Sequence, residues 1–208
     1  MVMSKRNIIF ILLVLFSITG IFTYFQSLPS LLEKKPSLIT GKILVRPMEI
    51  DNFELIDQNN EVFNKKSLEG GWTVLFFGYT NCPDVCPTTI YKLAEIKNGI
   101  KEDLPSANFN TVLVTLDPDR DSSERLDEYI GYFDETMLGV TGTYENIQSF
   151  TSSLSVFYQR INKEEGYDFN HTASIFVFDK DGSLFATMSP ANTIGELESD
   201  FFTILNNF

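Results

Sequence analysis

The sequence predicts an α/β layered domain built on a mixed sheet. Three observations carry this. Two apolar, β-rich runs, Trp72–Tyr79 and Thr111–Leu116, are bounded by polar turns. Segments with helical spacing alternate with them. The 208-residue chain is 43% apolar and 13% aromatic, an ordinary globular balance with enough material for one domain core. Strands that alternate with helices bring helices onto the faces of a sheet.

The elements follow in order. Phe53–Ile56 and Glu61–Phe63, split by Asp57-Gln58-Asn59-Asn60, read as a small hairpin. Trp72–Tyr79 (WTVLFFGY) suits a central strand covered on both faces. From Thr88 to Lys101, Ile90, Leu93, Ile96 and Ile100 recur at helical spacing. Thr111–Leu116 is a second buried strand. Asp121-Ser122-Ser123-Glu124 matches a capping box with Asp121 as the cap, opening a helix to about Phe133. Glu145–Leu154 is a further helix. Ser155–Ile161 and Ala173–Asp179 are strand-like. Asp179-Lys180-Asp181-Gly182 turns the chain into Ser183–Met188 as a hairpin, and Thr193–Leu205 closes the chain as a helix.

The N-terminus has a different character. Ile8–Phe25 is an 18-residue run without a charge; as a helix it spans about 27 Å at ~1.5 Å per residue, near the ~30 Å hydrocarbon core. Lys5 and Arg6 precede it, which directs the following chain out of the cytoplasm. The run exceeds the ~7–15 apolar residues of a cleaved signal, and no A-x-A site follows, so an uncleaved anchor is expected over a signal peptide. The organisation is then a short cytoplasmic N-terminus at 1–7, a transmembrane anchor at 8–25, a tether at 26–50 containing Pro29, Pro36 and Pro47, and a domain at 51–208. Exported thiols work where disulfides form and persist.

The net charge is −12, and Lys5 and Arg6 are the only charges in residues 1–26, so the remainder carries −14. That lacks the basic footprint of a nucleic-acid binder. It keeps the domain soluble, or favours cationic partners.

The chain has two cysteines and one histidine, too few thiols for a disulfide scaffold. Their closeness points to local chemistry. In Gly78-Tyr79-Thr80-Asn81-Cys82-Pro83-Asp84-Val85-Cys86-Pro87, Pro87 suits the first turn of a helix, so Cys86 falls at a helix N-terminus and Cys82 on the loop before it. A helix N-terminus favours thiolate, the form that attacks disulfides and binds metal. The C-x-x-x-C spacing leaves room either to bridge or to chelate one soft ion, Cu(I) prominent among them. The plain alternative is an inert disulfide bracing the loop.

His171 precedes strand Ala173–Asp179, beside a long loop that can fold over the cysteines. Two thiolates and an imidazole would hold Cu(I) and, through the imidazole, Cu(II). Asn170-His171-Thr172 also fits a glycosylation sequon, read as accidental because a glycan would crowd this ligand. Asp117 and Asp121, after the second strand, and Asp84, between the cysteines, are candidate residues around the site; for Asp121 the plain alternative is the helix cap. Met48, Met137 and Met188 are read as core filler. No phosphate loop, H-E-x-x-H or G-x-S-x-G is present.

These residues resemble the Sco/SenC family. FFGYTNCPDVCPTTI is similar to its signature, and the likeness continues through TLDPDRD, through LGVTGT at Leu138–Thr143 and through YDFNHTASIFVFDKDG, from about Phe53 to Phe208. The resemblance implies a thioredoxin-like three-layer fold with a mixed central sheet, an inserted β-hairpin and an N-terminal membrane anchor. It implies copper, as Cu(I) and Cu(II), on Cys82, Cys86 and His171. It also implies a role in assembling the binuclear copper site of cytochrome c oxidase subunit II, by copper delivery or by reducing that site's cysteines, with an upstream copper donor or thiol reductant. The family's loop aspartate falls on Asp84 and its D-P-x-R-D on Asp117–Asp121. Without an Arg-rich transit segment, the expected location is a bacterial inner membrane with the domain in the periplasm, rather than a mitochondrial one.

Metallochaperone and thiol–disulfide oxidoreductase are the two leading functions, with Cys82 and Cys86 as the redox pair in the second. A thiol peroxidase is the third. Val85-Cys86-Pro87-Thr88 is similar to a peroxiredoxin segment, but that family's Thr and Pro positions are held by Pro83 and Tyr79 here.

Overall fold

The computed structural model describes residues 12–24 and 36–208. Residues 12–24 form helix α1, which belongs to a unit of its own, while Ser37–Phe208 form the second. Among the described residues no helix is long and apolar enough to cross a membrane. The other residues of the expected span, 8–11 and 25, lie outside the described residues, as do residues 26–35 of the tether.

In chain order the domain runs β1 (Gly41–Met48), β2 (Glu54–Asp57), β3 (Val62–Asn64), β4 (Trp72–Gly78), α2 (Val85–Asp103), β5 (Phe109–Thr115) and α3 (Ser123–Gly131). Then follow β6 (Leu138–Thr141), α4 (Tyr144–Ser153), β7 (Tyr158–Asn162), β8 (Tyr167–His171), β9 (Ile175–Phe178), β10 (Leu184–Met188) and α5 (Ile194–Asn207). Eight strands make one sheet in the order β1-β10-β9-β4-β5-β6-β2-β3. β4–β5 and β5–β6 are parallel and the β4–β9 pair antiparallel, so the sheet is mixed, as expected. β7 and β8 pair only with each other.

All seven residues of β4 are buried, and the two-residue period of a strand divides them between two cores. Val74 and Phe76 pack with Ile90, Leu93 and Ile96 of α2 and with Leu197 and Phe201 of α5. Leu75 and Phe77 pack with Ile147 and Phe150 of α4 and with Leu55 and Phe63 of the first hairpin. The result is three layers with the sheet in the middle. A fully buried Phe contributes roughly 2–3 kcal/mol of transfer free energy, so the WTVLFFG run anchors both cores at once.

Several expectations are corrected. Residues 41–48, read above as tether, are the edge strand β1, paired antiparallel with β10. The preceding segment is tied to α5, where buried Asp200 accepts bonds from the Ile39 and Thr40 backbone amides and from Thr40 Oγ1. Asp121 does not cap α3. That place belongs to Ser122, whose side chain accepts from Arg125 N. Leu138–Thr141, read only as part of a resemblance, is the inner strand β6. The stretch before His171, read as a loop, is strand β8.

Candidate metal centre

β4 ends at Gly78, and the chain then crosses the carboxyl end of the sheet, where sites of open α/β sheets form. Tyr79 is buried; Cys82 N donates to Tyr79 O at 3.2 Å. α2 starts at Val85, with Asp84 in the N-cap position, yet the Asp84 side chain makes no cap bond. The Cys82 sulphur fills that role instead: it accepts the Cys86 backbone N–H at 3.4 Å, and the Asp84 N–H as well.

The two thiols are free and unequal. Cys86 is buried and Cys82 half-buried. The hydrogen bond from the Cys86 thiol, helped by the His171 side chain and by these backbone amides, pulls the Cys82 pKa down to about 4 against burial. The Cys86 pKa is pushed strongly up, because its proton is held on the Cys82 sulphur and its site is desolvated. Cys82 is therefore the thiolate at neutral pH, and Cys86 donates to it. The sequence put the helix N-terminus to work on Cys86; in the fold its orphan N–H groups face the sulphur one turn earlier. Gly78 makes room: a Cβ there would stand 3.0 Å from Cys86 Sγ.

His171 ends β8, in register with Tyr158 of β7. Its Nε2 lies 3.9 Å from Cys86 Sγ, and it is also a hydrogen-bonding neighbour of Cys82. Its Nδ1 stands 3.1 Å from the Thr172 carbonyl. A carbonyl only accepts, so Nδ1 carries the hydrogen and Nε2 is the nitrogen turned to the sulphurs. Edge contacts from Phe76 and Tyr79 wall the ring, with centroids 6.2 and 6.1 Å away.

Cys82, Cys86 and His171 are thus brought together from β4's loop, α2 and β8. Among the described residues no three His, Cys, Asp or Glu side chains form a ready metal cage. The spacing is within reach of one. Metal bonds of about 2.0 Å to nitrogen and 2.3 Å to sulphur span up to about 4.3 Å, beyond the 3.9 Å between Nε2 and Sγ. Soft thiolates with one imidazole are donors suited to copper. The cleft over Cys82 and His171 holds about 240 Å³. A larger cleft of about 460 Å³, lined by Ser122, Thr143 and Asn146 among others, contains none of the three.

The three aspartates part company. Asp84 lines the cysteine cleft. Asp121 lies beneath the loop, buried, accepting from Thr80 N, Thr80 Oγ1 and Thr115 Oγ1. It fixes where the loop leaves β4. Asp117 accepts from the Tyr167 hydroxyl at 2.8 Å and is ion-paired with Arg120. Met137 and Met188 are core residues, while Met48 is partly exposed on β1. Sequence reasoning missed Tyr79, whose ring meets that of His171, Asp168, which lines the same cleft, and Tyr167, which ties the other end of β8 to Asp117. Alternation in Tyr167-Asp168-Phe169-Asn170-His171 is a strand signal that marks the first step toward them.

A three-layer domain with a cysteine pair at the head of its first long helix and a histidine across the cleft defines a thioredoxin-like thiol protein. The SCO1/SenC family model matches residues 45–206, and the chain belongs to that family. A SCO2-like protein of Rickettsia felis is 31% identical over 184 residues, covering 86% of this chain and 88% of its own. Two solved structures described as copper-bound share the fold. ScoI of Arabidopsis thaliana has TM-score 0.73 and 28% identity, covering 76% of this chain and 99% of its own. ScoI of Bradyrhizobium japonicum has TM-score 0.66 and 32% identity, covering 74% and 97%.

Proposed function

We propose that this protein is a copper metallochaperone that carries Cu(I) or Cu(II) on Cys82, Cys86 and His171 to the binuclear copper site of cytochrome c oxidase subunit II. The observation that carries the reading is the 3.9 Å approach of His171 Nε2 to Cys86 Sγ, beside a Cys82 sulphur held as thiolate. Copper-bound ScoI relatives support the cargo, and the family resemblance supports the client. Cys82 offers a ready thiolate, Cys86 a second once its proton leaves, and His171 a nitrogen that matters most for Cu(II). The 18-residue uncharged run at 8–25 supports an inner-membrane anchor with the domain in the periplasm.

A second reading rests on the inequality of the thiols. The Cys82 thiolate attacks a client disulfide, forming a mixed disulfide and releasing one client thiolate. Cys86 then attacks the Cys82 sulphur, losing its proton, and releases the second. The client is reduced and the pair oxidised by two electrons.

The test is to reduce the full chain in detergent and titrate Cu(I) and Cu(II) into wild type and His171→Ala. One equivalent is expected for wild type, with the Cu(II)–thiolate absorption lost in the variant. No tight binding of either ion by wild type would leave thiol exchange as the function.

A further inference from the structure

The hairpin that carries His171 shares no backbone pairing with the main sheet, since β7 and β8 bond only to each other. Four of the five β7 residues are exposed. A lone two-stranded hairpin is marginal in water. The side chains that dock it therefore decide where His171 stands.

Two tyrosine–aspartate bonds cross between hairpin and sheet. The Tyr79 hydroxyl, just after β4, donates to Asp168 of β8, which is also paired with Lys163. In the opposite sense, the Tyr167 hydroxyl of β8 donates to Asp117, after β5, at 2.8 Å. Tyr167 is held more firmly still. Arg120 Cζ lies 3.8 Å and Arg160 Cζ 3.4 Å from its ring centroid. Two like-charged guanidinium groups this close cannot share a face, so the ring is sandwiched between them. Arg120 also donates from Nη1 to the Tyr167 carbonyl at 3.1 Å, and Arg160 is 3.7 Å from Asp119. The sandwich thus clamps β7 and β8 to the loop that follows β5.

We infer that Tyr167 is a positioning residue for His171: clamped between Arg120 and Arg160 and bonded to Asp117, it holds the imidazole over the cysteine pair and so sets the preference of the site for Cu(II). This rests on the three-donor reading above. Cys82 and Cys86 are carried by the loop after β4 and by α2, not by the hairpin. Loosening the clamp converts a three-donor site into a two-thiolate site, which serves Cu(I) better than Cu(II).

The experiment uses the full chain in detergent, as wild type, Tyr167→Leu, Tyr167→Phe, Arg160→Ala and His171→Ala. For Tyr167→Leu, Cu(II) affinity is expected to fall about 10-fold or more, the scale seen when a group supporting a ligand is removed. Its Cu(II)–thiolate band moves toward that of His171→Ala. Cu(I) affinity changes no more than about 2-fold, as for a distant surface change. Tyr167→Phe keeps the sandwiched ring and restores most of the Cu(II) signal. Arg160→Ala, at a half-exposed residue, shows a smaller loss in the same direction. In the metal-free protein, β8 amides of Tyr167→Leu exchange faster while those of β4 are unchanged.

An unaltered Cu(II) band in Tyr167→Leu, beside a band lost in His171→Ala, overturns the inference and leaves the three-donor site intact. Equal losses of Cu(I) and Cu(II) overturn it too, since the cysteines would then depend on the clamp. If Tyr167→Leu does not fold, a wild-type band in Arg160→Ala is the overturning result. If His171→Ala itself binds Cu(II) like wild type, the three-donor reading fails and the inference falls with it.

Discussion

The cysteine loop and the β7–β8 hairpin meet at one site but are built on opposite principles. The loop grows from β4, buried along all seven residues between two cores, and is pinned from below by Asp121. The hairpin lies outside the main sheet and is held by tyrosines, aspartates and arginines. The loop supplies donors whose separation is set by four residues of chain; the hairpin supplies a donor 85 residues away in sequence from Cys86. On the proposed reading the two sulphurs are donors fixed by the core, and the imidazole is a third donor placed by the docked hairpin.

The largest expected contrast is in stability. Phe77→Ala should cost about 3–5 kcal/mol in denaturant unfolding, because it opens a cavity between β4, α4 and β9. Ile161→Ala on β7, where the side chain is 45% exposed, should stay within about 0.5 kcal/mol. Similar losses at both would mean that the hairpin belongs to the same cooperative core.

A second contrast lies between the cysteines themselves. At pH 6 iodoacetamide should modify Cys82 on the order of 100-fold faster than Cys86, read by peptide mapping, since Cys82 is thiolate and half-buried while Cys86 is protonated and enclosed. The reverse order would return the helix N-terminus to Cys86.

The third sharpens the proton accounting. In His171→Ala, which has no imidazole, Cu(I) must still displace the Cys86 proton, while the Cys82 thiolate keeps its strongest support, the Cys86 thiol, together with the backbone amides. Apparent affinity should therefore rise about tenfold per pH unit through neutrality, with one proton released per ion. The sign follows from competition: each proton that copper must displace weakens binding as pH falls. A flat profile near neutrality would mean that Cys86 is ionised in the free protein.

Much of the fold was legible. WTVLFFGY and TVLVTL read as buried strands because parallel neighbours covered on both faces leave no polar alternation, and they are β4 and β5. The turn at Asp179–Gly182 read correctly because Gly182 takes a φ of 71°, where glycine carries no Cβ penalty. The misses have physical causes. β1 is an edge strand, five of its eight residues exposed, and its composition resembles a linker. Asp121 lies one residue before the true cap, and a capping motif does not say which of two adjacent oxygens faces the helix. β8 was passed over although its residues alternate, because it is short and pairs only with β7.

By itself the sequence determined the layered α/β class, the pairing of Cys82 with Cys86 and their place at a helix start. These are local matters: hydrophobic period, a proline in the first turn and a spacing of four residues act within a few bonds. Only the tertiary structure decided which sulphur is the thiolate, that His171 Nε2 faces the pair, and that Tyr167 is clamped by Arg120 and Arg160 to hold it there. A pKa depends on which donors fold over an atom, and the place of His171 depends on where a distant hairpin docks; neither is encoded in neighbouring residues.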